Sequence, residues 1–309
     1  MKIVVTGGAG FIGSNVVDAY VALGHQVLVV DDLSTGQREN LNPKAELVHA
    51  DIRSEQAAKA VEAFAPEVLN LHAAQIDVRR SVTEPRFDAD VNVGGLLNVL
   101  EAARRAGKLK RAIYAASGGS MYGDTPHIPT PETHGCGAVS PYGVSKHACE
   151  LYLQAWRGLY GLHSVALRYA NIYGPRQNPH GEAGVVAIFT ERLVQGKACT
   201  IYGDGGQTRD FVHVADVTAA NVRALDTAFF GGVNIGTGVE TDVNTVYRHL
   251  AQAAGVSTPA VYAEARLGEQ RRSVLDNRKA KDVLGWSPSF DIATGLANTV
   301  AWFKAPRRA

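Results

Sequence analysis

The stretch Thr6-Gly7-Gly8-Ala9-Gly10-Phe11-Ile12-Gly13, directly after the apolar run 2–6, constrains this chain more than any other feature. Gly8, Gly10 and Gly13 fit a G-x-G-x-x-G spacing, while Gly7, Gly10 and Gly13 fit the wider G-x-x-G-x-x-G. Between a strand and a helix, one glycine permits a tight turn, a second lets backbone N–H groups approach a pyrophosphate, and the last allows close helix–strand packing. Asp31 ends the next apolar run 18 residues after Gly13, where a carboxylate binds a ribose 2′-hydroxyl and repels a 2′-phosphate. This selects NAD over NADP, and the adjacent Asp32 is able to share the role.

Strand-like runs recur at 2–6, 26–30, 46–49, 67–71, 110–115 and 164–167, with helical spacing between them at 11–23, 55–64, 87–106 and 142–160. Such alternation predicts an α/β fold: a Rossmann-type, doubly wound parallel sheet covered on both faces. Beyond residue 170 the pattern turns irregular and rich in Gly and Pro, which predicts a smaller α/β substrate-binding domain. The expected division is an NAD-binding unit over 1–170, completed by about 211–236, and a second unit over 171–210 and 237–309.

Charge argues against a polyanion as partner, because 31 Lys+Arg nearly cancel 30 Asp+Glu to leave a net +1. The cations Arg104, Arg105, Lys108, Lys110 and Arg111 read as a solvated helix end rather than a nucleic-acid patch. Three cysteines without CxxC spacing suggest neither a disulfide framework nor a metal site. With no signal-peptide pattern and no apolar stretch of membrane-spanning length, the expectation is a cytoplasmic protein that engages no membrane.

Tyr142 and Lys146 stand at i, i+4 on one predicted helix face, after the small-residue run Ala115-Ala116-Ser117-Gly118-Gly119-Ser120 at the carboxyl end of the fifth strand. Ligands of open parallel sheets bind at that edge. A phenol near pKa 10 is a poor base at neutral pH, and lowering it by about three units takes ~4 kcal/mol of phenolate stabilisation. A neighbouring ammonium and an oxidised nicotinamide would supply this together, with Ser117 or Ser120 hydrogen-bonding the same substrate oxygen.

The glycine turn, Asp31, Asp51-Ile52, Ala73-Ala74, Asn92, the run 117–123 and Tyr142-x-x-x-Lys146 together resemble the extended short-chain dehydrogenase/reductase family. Arg168-Tyr-Ala-Asn171, Arg209-Asp-Phe-Val-His-Val, Asn234-Ile-Gly-Thr-Gly238, Arg266-Leu-Gly-Glu269 and Leu284-Gly-Trp286 extend the match along the chain. Asn178-Pro-His-Gly-Glu-Ala-Gly-Val-Val-Ala-Ile-Phe189 is similar to the branch that inverts C4 of UDP-hexoses through a 4-keto intermediate.

The resemblance implies cofactor contacts from Gly7, Gly10, Phe11, Ile12, Gly13, Asp31, Asp51, Ile52, Ala73, Ala74, Asn92, Tyr142 and Lys146. It implies a UDP-sugar held by Asn171, Val185, Tyr202, Arg209, Arg266 and Glu269, and a homodimer. Two positions depart from the family pattern. Gly118 stands where the family has a Ser or Thr, so Ser117 is the expected substitute and Ser120 the reserve. Ser273 stands where some members carry a bulky Tyr at the sugar-pocket wall, which leaves room for an N-acetyl group. A 4,6-dehydratase resembles proteins with Asp-Glu where this chain has Gly119 and Ser120, and is disfavoured. A UDP-uronate epimerase or decarboxylase, and a non-catalytic NAD-sensing protein, stay open.

Overall fold

A computed structural model describes residues 1–180, 184–265 and 270–305. Seven parallel strands form the main sheet. They are β1 (Lys2–Thr6), β2 (Gln26–Asp31), β3 (Glu46–His49), β4 (Val68–Leu71), β5 (Arg111–Ser117), β6 (His163–Tyr169) and the late strand Gly231–Ile235. From one edge the order runs late strand, β6, β5, β4, β1, β2, β3. The chain therefore winds outward from β1 in one direction through β3 and then in the other from β4, which places the switch point between β1 and β4.

Alternation along each strand feeds two cores. Val4, Leu28, Val30 and Leu69 point to one layer, against α2 (Glu55–Phe64) and the segment 95–105. Ile3, Val5, Val27 and Val29 point to the other, beside Val16, Val17 and Tyr20 of α1 (Phe11–Ala22). Burial on both faces is why these strands read as unbroken apolar runs. A third core of Tyr173, Phe189, Leu193, Ile201, Val246, Leu250, Leu296 and Val300 serves the second unit. Residues 278–286, which the expected boundaries place with that unit, contribute Ala280, Leu284 and Trp286 to the core beneath the main sheet. The Trp286 indole anchors them by donating to the Asp216 carbonyl at 2.8 Å.

The predicted helix over 87–106 is interrupted. After α3 (Val78–Thr83) and α4 (Pro85–Ala89), a π-helical turn at Asp90–Gly94 precedes α5 (Gly95–Arg105). Three of the five cations at its end are in ion pairs, Arg104 with Glu101, Arg105 with Glu62 and Lys110 with Glu67, and Arg111 donates to the Ala224 carbonyl. Among the described residues no helix is long and apolar enough to cross a membrane.

The glycine turn is packed backbone against backbone. A Cβ on Gly13 would lie 2.2 Å from the Gly7 carbonyl oxygen, and one on Gly7, at φ +69°, would lie 2.7 Å from the Ala73 nitrogen. Gly13→Ala is therefore expected to lower the free energy of unfolding by about 1–3 kcal/mol. Urea unfolding measures this, and an unchanged midpoint would contradict the packing.

Candidate active site

At the switch point the ends of β1 and β4 are tied together. The His72 and Ala73 amides donate to the Thr6 carbonyl at 3.1 Å and the Thr6 hydroxyl at 3.2 Å. Above them α1 starts at Gly10 with neither a side-chain cap nor an acidic residue in its first turn. The helices α2 and α3, by contrast, are capped by Ser54 and Asp77. An uncapped helix start beside a glycine cradle fits a dinucleotide pyrophosphate.

Asp31 is buried at the end of β2, accepting from the amides of Ala9 at 2.9 Å and Leu33 at 2.8 Å. Burial raises its carboxyl above the usual range, opposed by these two amides. Asp32 is exposed and accepts from the amide and hydroxyl of Ser34. Asp51 is paired with Arg53 at 2.5 Å. Thr6, Ile52, Ala73, Ala74, Asn92 and Lys146 line one crevice. Within it the Asn92 side chain is already engaged, accepting from the Gln75 amide at 2.8 Å and donating to Asp88 and the Ser145 hydroxyl.

The candidate reacting groups come from two helix starts at the carboxyl edge of the sheet. α6 (Gly118–Tyr122) is capped by the Ser117 hydroxyl, which accepts from the Ser120 amide at 3.4 Å. α7 (Pro141–Tyr160) opens on Pro141 and is capped by Ser140, which accepts from the Gly143 amide at 3.2 Å. That cap fixes Tyr142 in the first turn, where its phenol hydrogen-bonds Ser117. Burial pushes the phenol up to about 12, the Ser117 bond opposes this, and the Asp88 charge adds to it. One turn on, the buried Lys146 Nζ donates to the Ala115 carbonyl at 3.0 Å and lies 5.7 Å from the centre of the Tyr142 ring. Burial lowers its ammonium to about 8.

A Cβ on Gly118 would lie 2.6 Å from the Leu275 side chain, so a larger residue there must displace the leucine. Ser117 is the hydroxyl in contact with Tyr142.

The residues expected to hold substrate lie on the second unit and on the strands that join it to the first. Asn171 opens β7 (Asn171–Tyr173), and Val185 opens α8 (Val185–Val194). Tyr202 ends the strand Thr200–Tyr202. Arg209 and Ser273 are register partners on two short parallel strands, and a Cβ on Gly119 would lie 3.3 Å from the Ser273 hydroxyl. That register brings the second unit to the turn that carries Ser117. Arg266 and Glu269 lie outside the described residues.

Four residues of the site escaped the sequence reading. Asp88 is buried, accepts from the Gln75 amide group and Asn92 through Oδ1, and leaves Oδ2 without a partner. Ser145, Tyr114 and His72 surround Lys146 and Asn92. His72 is held neutral, pushed down to about 3 by burial and by the Lys146 charge. Only Asp88 left a signal, its i, i+4 spacing to Asn92.

Residues 3–236 match the profile of the NAD dependent epimerase/dehydratase family. The chain belongs to this family. A UDP-glucose 4-epimerase of Mycolicibacterium smegmatis is 47% identical over 98% of this chain and 99% of its own. Among solved structures, the UDP-glucose 4-epimerase of Thermotoga maritima with UDP-glucose superposes with a TM-score of 0.95 at 45% identity, covering 98% of both chains. The Thermus thermophilus UDP-glucose 4-epimerase in complex with NAD gives 0.92 at 42% identity, covering 98% of this chain and 99% of its own.

For this epimerase-family protein the buried ammonium has a measurable cost. From about pH 8 to 10.5 the unfolded chain holds a lysine proton that the folded chain has released, so stability from Lys146 rises with pH across that window by about 3 kcal/mol. Tyr142 acts in the opposite sense only above pH 10, where the unfolded phenol ionises and the folded one does not. In cofactor-free protein, Lys146→Met is expected to reduce the slope of unfolding free energy against pH between 8 and 10. An identical slope in both proteins would refute the burial argument.

Proposed function

We propose that the protein inverts C4 of a UDP-hexose, interconverting UDP-glucose and UDP-galactose with NAD as a retained cofactor. The observation that carries this reading is the Ser117–Tyr142–Lys146 set at the carboxyl end of β5, beside a glycine cradle suited to a dinucleotide. In this reading residues 7–13 hold the pyrophosphate and Asp31 the adenosine ribose. Asp51 and Ile52 contact the adenine, and Ala73 and Ala74 line the cofactor crevice beside Ile52. Asn92 acts by holding the backbone at Gln75. Asn171, Val185, Tyr202 and Arg209, with Arg266 and Glu269, take the UDP moiety, where a guanidinium suits pyrophosphate oxygens.

Tyr142 takes the proton of the C4 hydroxyl, and Ser117 hydrogen-bonds the same oxygen. NAD, when bound, supplies the hydride acceptor and donor together with the positive charge of its oxidised ring. Bringing the phenol from about 12 to neutral pH takes ~7 kcal/mol of phenolate stabilisation, so Lys146 and the cofactor charge have to act together. Lys146, near 8, is mainly an ammonium at pH 7 and keeps that charge within reach of the phenol. The sugar turns over as its 4-keto form while the second unit keeps hold of UDP; inversion is complete when hydride has returned to C4 on the opposite face and Tyr142 has given its proton back to the C4 oxygen. Binding concentrated on the nucleotide leaves the sugar free to rotate. The small Ser273 wall extends the substrate range to the N-acetylated UDP-hexoses.

Incubation with UDP-galactose is expected to yield UDP-glucose without added NAD, and UDP-N-acetylglucosamine to be epimerised too. A 4-keto-6-deoxy product would instead mark a dehydratase. Tyr142→Phe is expected to lower kcat about 10²- to 10⁴-fold while NAD content is unchanged. Loss of less than tenfold would reject Tyr142 as the base.

The assembly we infer is a homodimer through α7. Val144, Leu151, Tyr152 and Leu159 are exposed, at 57%, 52%, 38% and 67%, and their spacing puts them on one helix face. The three cysteines are free thiols, in keeping with a cytoplasmic enzyme of galactose metabolism. Sedimentation is expected to give twice the chain mass, and Leu151→Glu to shift it toward the monomer; a monomeric wild type would reject the interface.

A further inference from the structure

One carboxylate on α1 faces both halves of the molecule. Asp18 Oδ1 accepts from Asn42 Nδ2 at 2.7 Å, and its Oδ2 accepts from Arg176 Nη2 at 2.6 Å. Asn42 belongs to the segment after β2 that also buttresses the glycine turn. There the Gln37 amide and Asn40 Nδ2 both donate to the Ala9 carbonyl, at 3.0 and 3.2 Å. Arg176 belongs to the segment after β7, which leads through Gln177 to the start of α8. Asn15, three residues before Asp18 and on the same helix face, donates to the Pro175 carbonyl at 3.4 Å.

An ordinary surface ion pair would contribute little here. This one differs in three ways. Arg176 sits at φ +73°, a left-handed conformation that a side chain of its size rarely adopts. Among the described residues its Nη1 is buried without a hydrogen-bond partner, as is Oε1 of the adjacent Gln177. A strained backbone persists only where its surroundings over-determine it, and Asp18 and Asn15 are the α1 groups that do so. The contact also spans 158 residues of chain, joining the segment beside the glycine turn to the segment leading to Val185.

We propose that Asp18 is a positioning residue that straps the loop 174–178 to the cofactor-binding half, so that the dinucleotide and the UDP-sugar bind cooperatively. The proposal rests on the reading of Asn171 and Val185 as UDP-sugar ligands. Ordering the segment beside the glycine turn fixes Asn42, Asn42 and Arg176 share one carboxylate, and Arg176 holds the loop that follows Asn171–Tyr173. Coupling of this kind is reciprocal: whatever cofactor does for UDP, UDP does for cofactor.

The test uses NAD-loaded enzyme, with initial rates on UDP-galactose and the rate of NAD loss in the presence and absence of UDP. Wild-type enzyme is expected to lose NAD more slowly with UDP bound. Asp18→Asn, and Arg176→Gly, which relieves the left-handed backbone while removing the strap, are each expected to raise KM at least about fivefold. In both, kcat stays within twofold and UDP no longer slows NAD loss. The charge swap Asp18→Arg with Arg176→Asp is expected to restore part of that protection. Full protection in either folded single variant, even with a raised KM, overturns the strap, as does a wild type whose NAD loss ignores bound UDP. A wild type that neither binds UDP nor turns over UDP-galactose overturns the functional reading itself, and the strap with it.

Discussion

The close approach of two strand ends governs this site. Gly7 and Gly13 let the turn after β1 lie against the backbone at Ala73, and the Thr6 hydroxyl and carbonyl hold that approach by accepting from β4's first two following amides. A side chain at either glycine would separate β1 from β4 or push α1 off the sheet. The anion cradle, the position of Asp31 against Ala9, and the crevice that reaches Lys146 all follow from that contact.

Charge at the site is arranged by burial rather than by ion pairing. Lys146 and Asp88 are both buried, and neither makes a salt bridge among the described residues. Each is held by neutral partners: the Ala115 carbonyl for the ammonium, the amide groups of Gln75 and Asn92 for the carboxylate. An ammonium locked against a carboxylate would be neutralised as seen from Tyr142. Held by a carbonyl dipole alone, the Lys146 charge is left unneutralised 5.7 Å from the centre of the Tyr142 ring. The Tyr142 phenol is raised chiefly by burial, and the Asp88 charge adds to that push.

The main sheet was legible because strands buried on both faces leave contiguous apolar runs, and the cradle because only glycines fit backbone-to-backbone contacts. The break at Asp90–Gly94 was not, since a π-turn keeps nearly the spacing of the helix it interrupts. Yet that extra residue turns Asn92 inward onto Gln75 and Ser145. Ser117 is expected ahead of Ser120 from the sequence, while its contact with the Tyr142 phenol depends on how Ser140 starts α7. The tail segment 278–286 was assigned by its place in the chain, whereas packing put it under the main sheet through Trp286. In each case the missing information was a long-range contact, and periodicity carries none.

The second unit reaches the turn that carries Ser117 through very short strands, which on their own would be too weak to hold a register. Asp210 supplies the missing constraint. Buried next to Arg209, its carboxylate accepts from the amide and hydroxyl of Thr237 and from the amides of Gly238 and Leu275. One side chain thereby fastens three separate segments, and burial without a cation is tolerated because four donors surround it. Since Leu275 is among them, the same carboxylate fixes the leucine that fills the space over Gly118 and the strand that sets Ser273 beside Gly119. The glycine at 118 and the small side chain at Ser273 are therefore linked features of one packing arrangement. A substitution that enlarged either position would act on the other through Leu275 and the Arg209–Ser273 register.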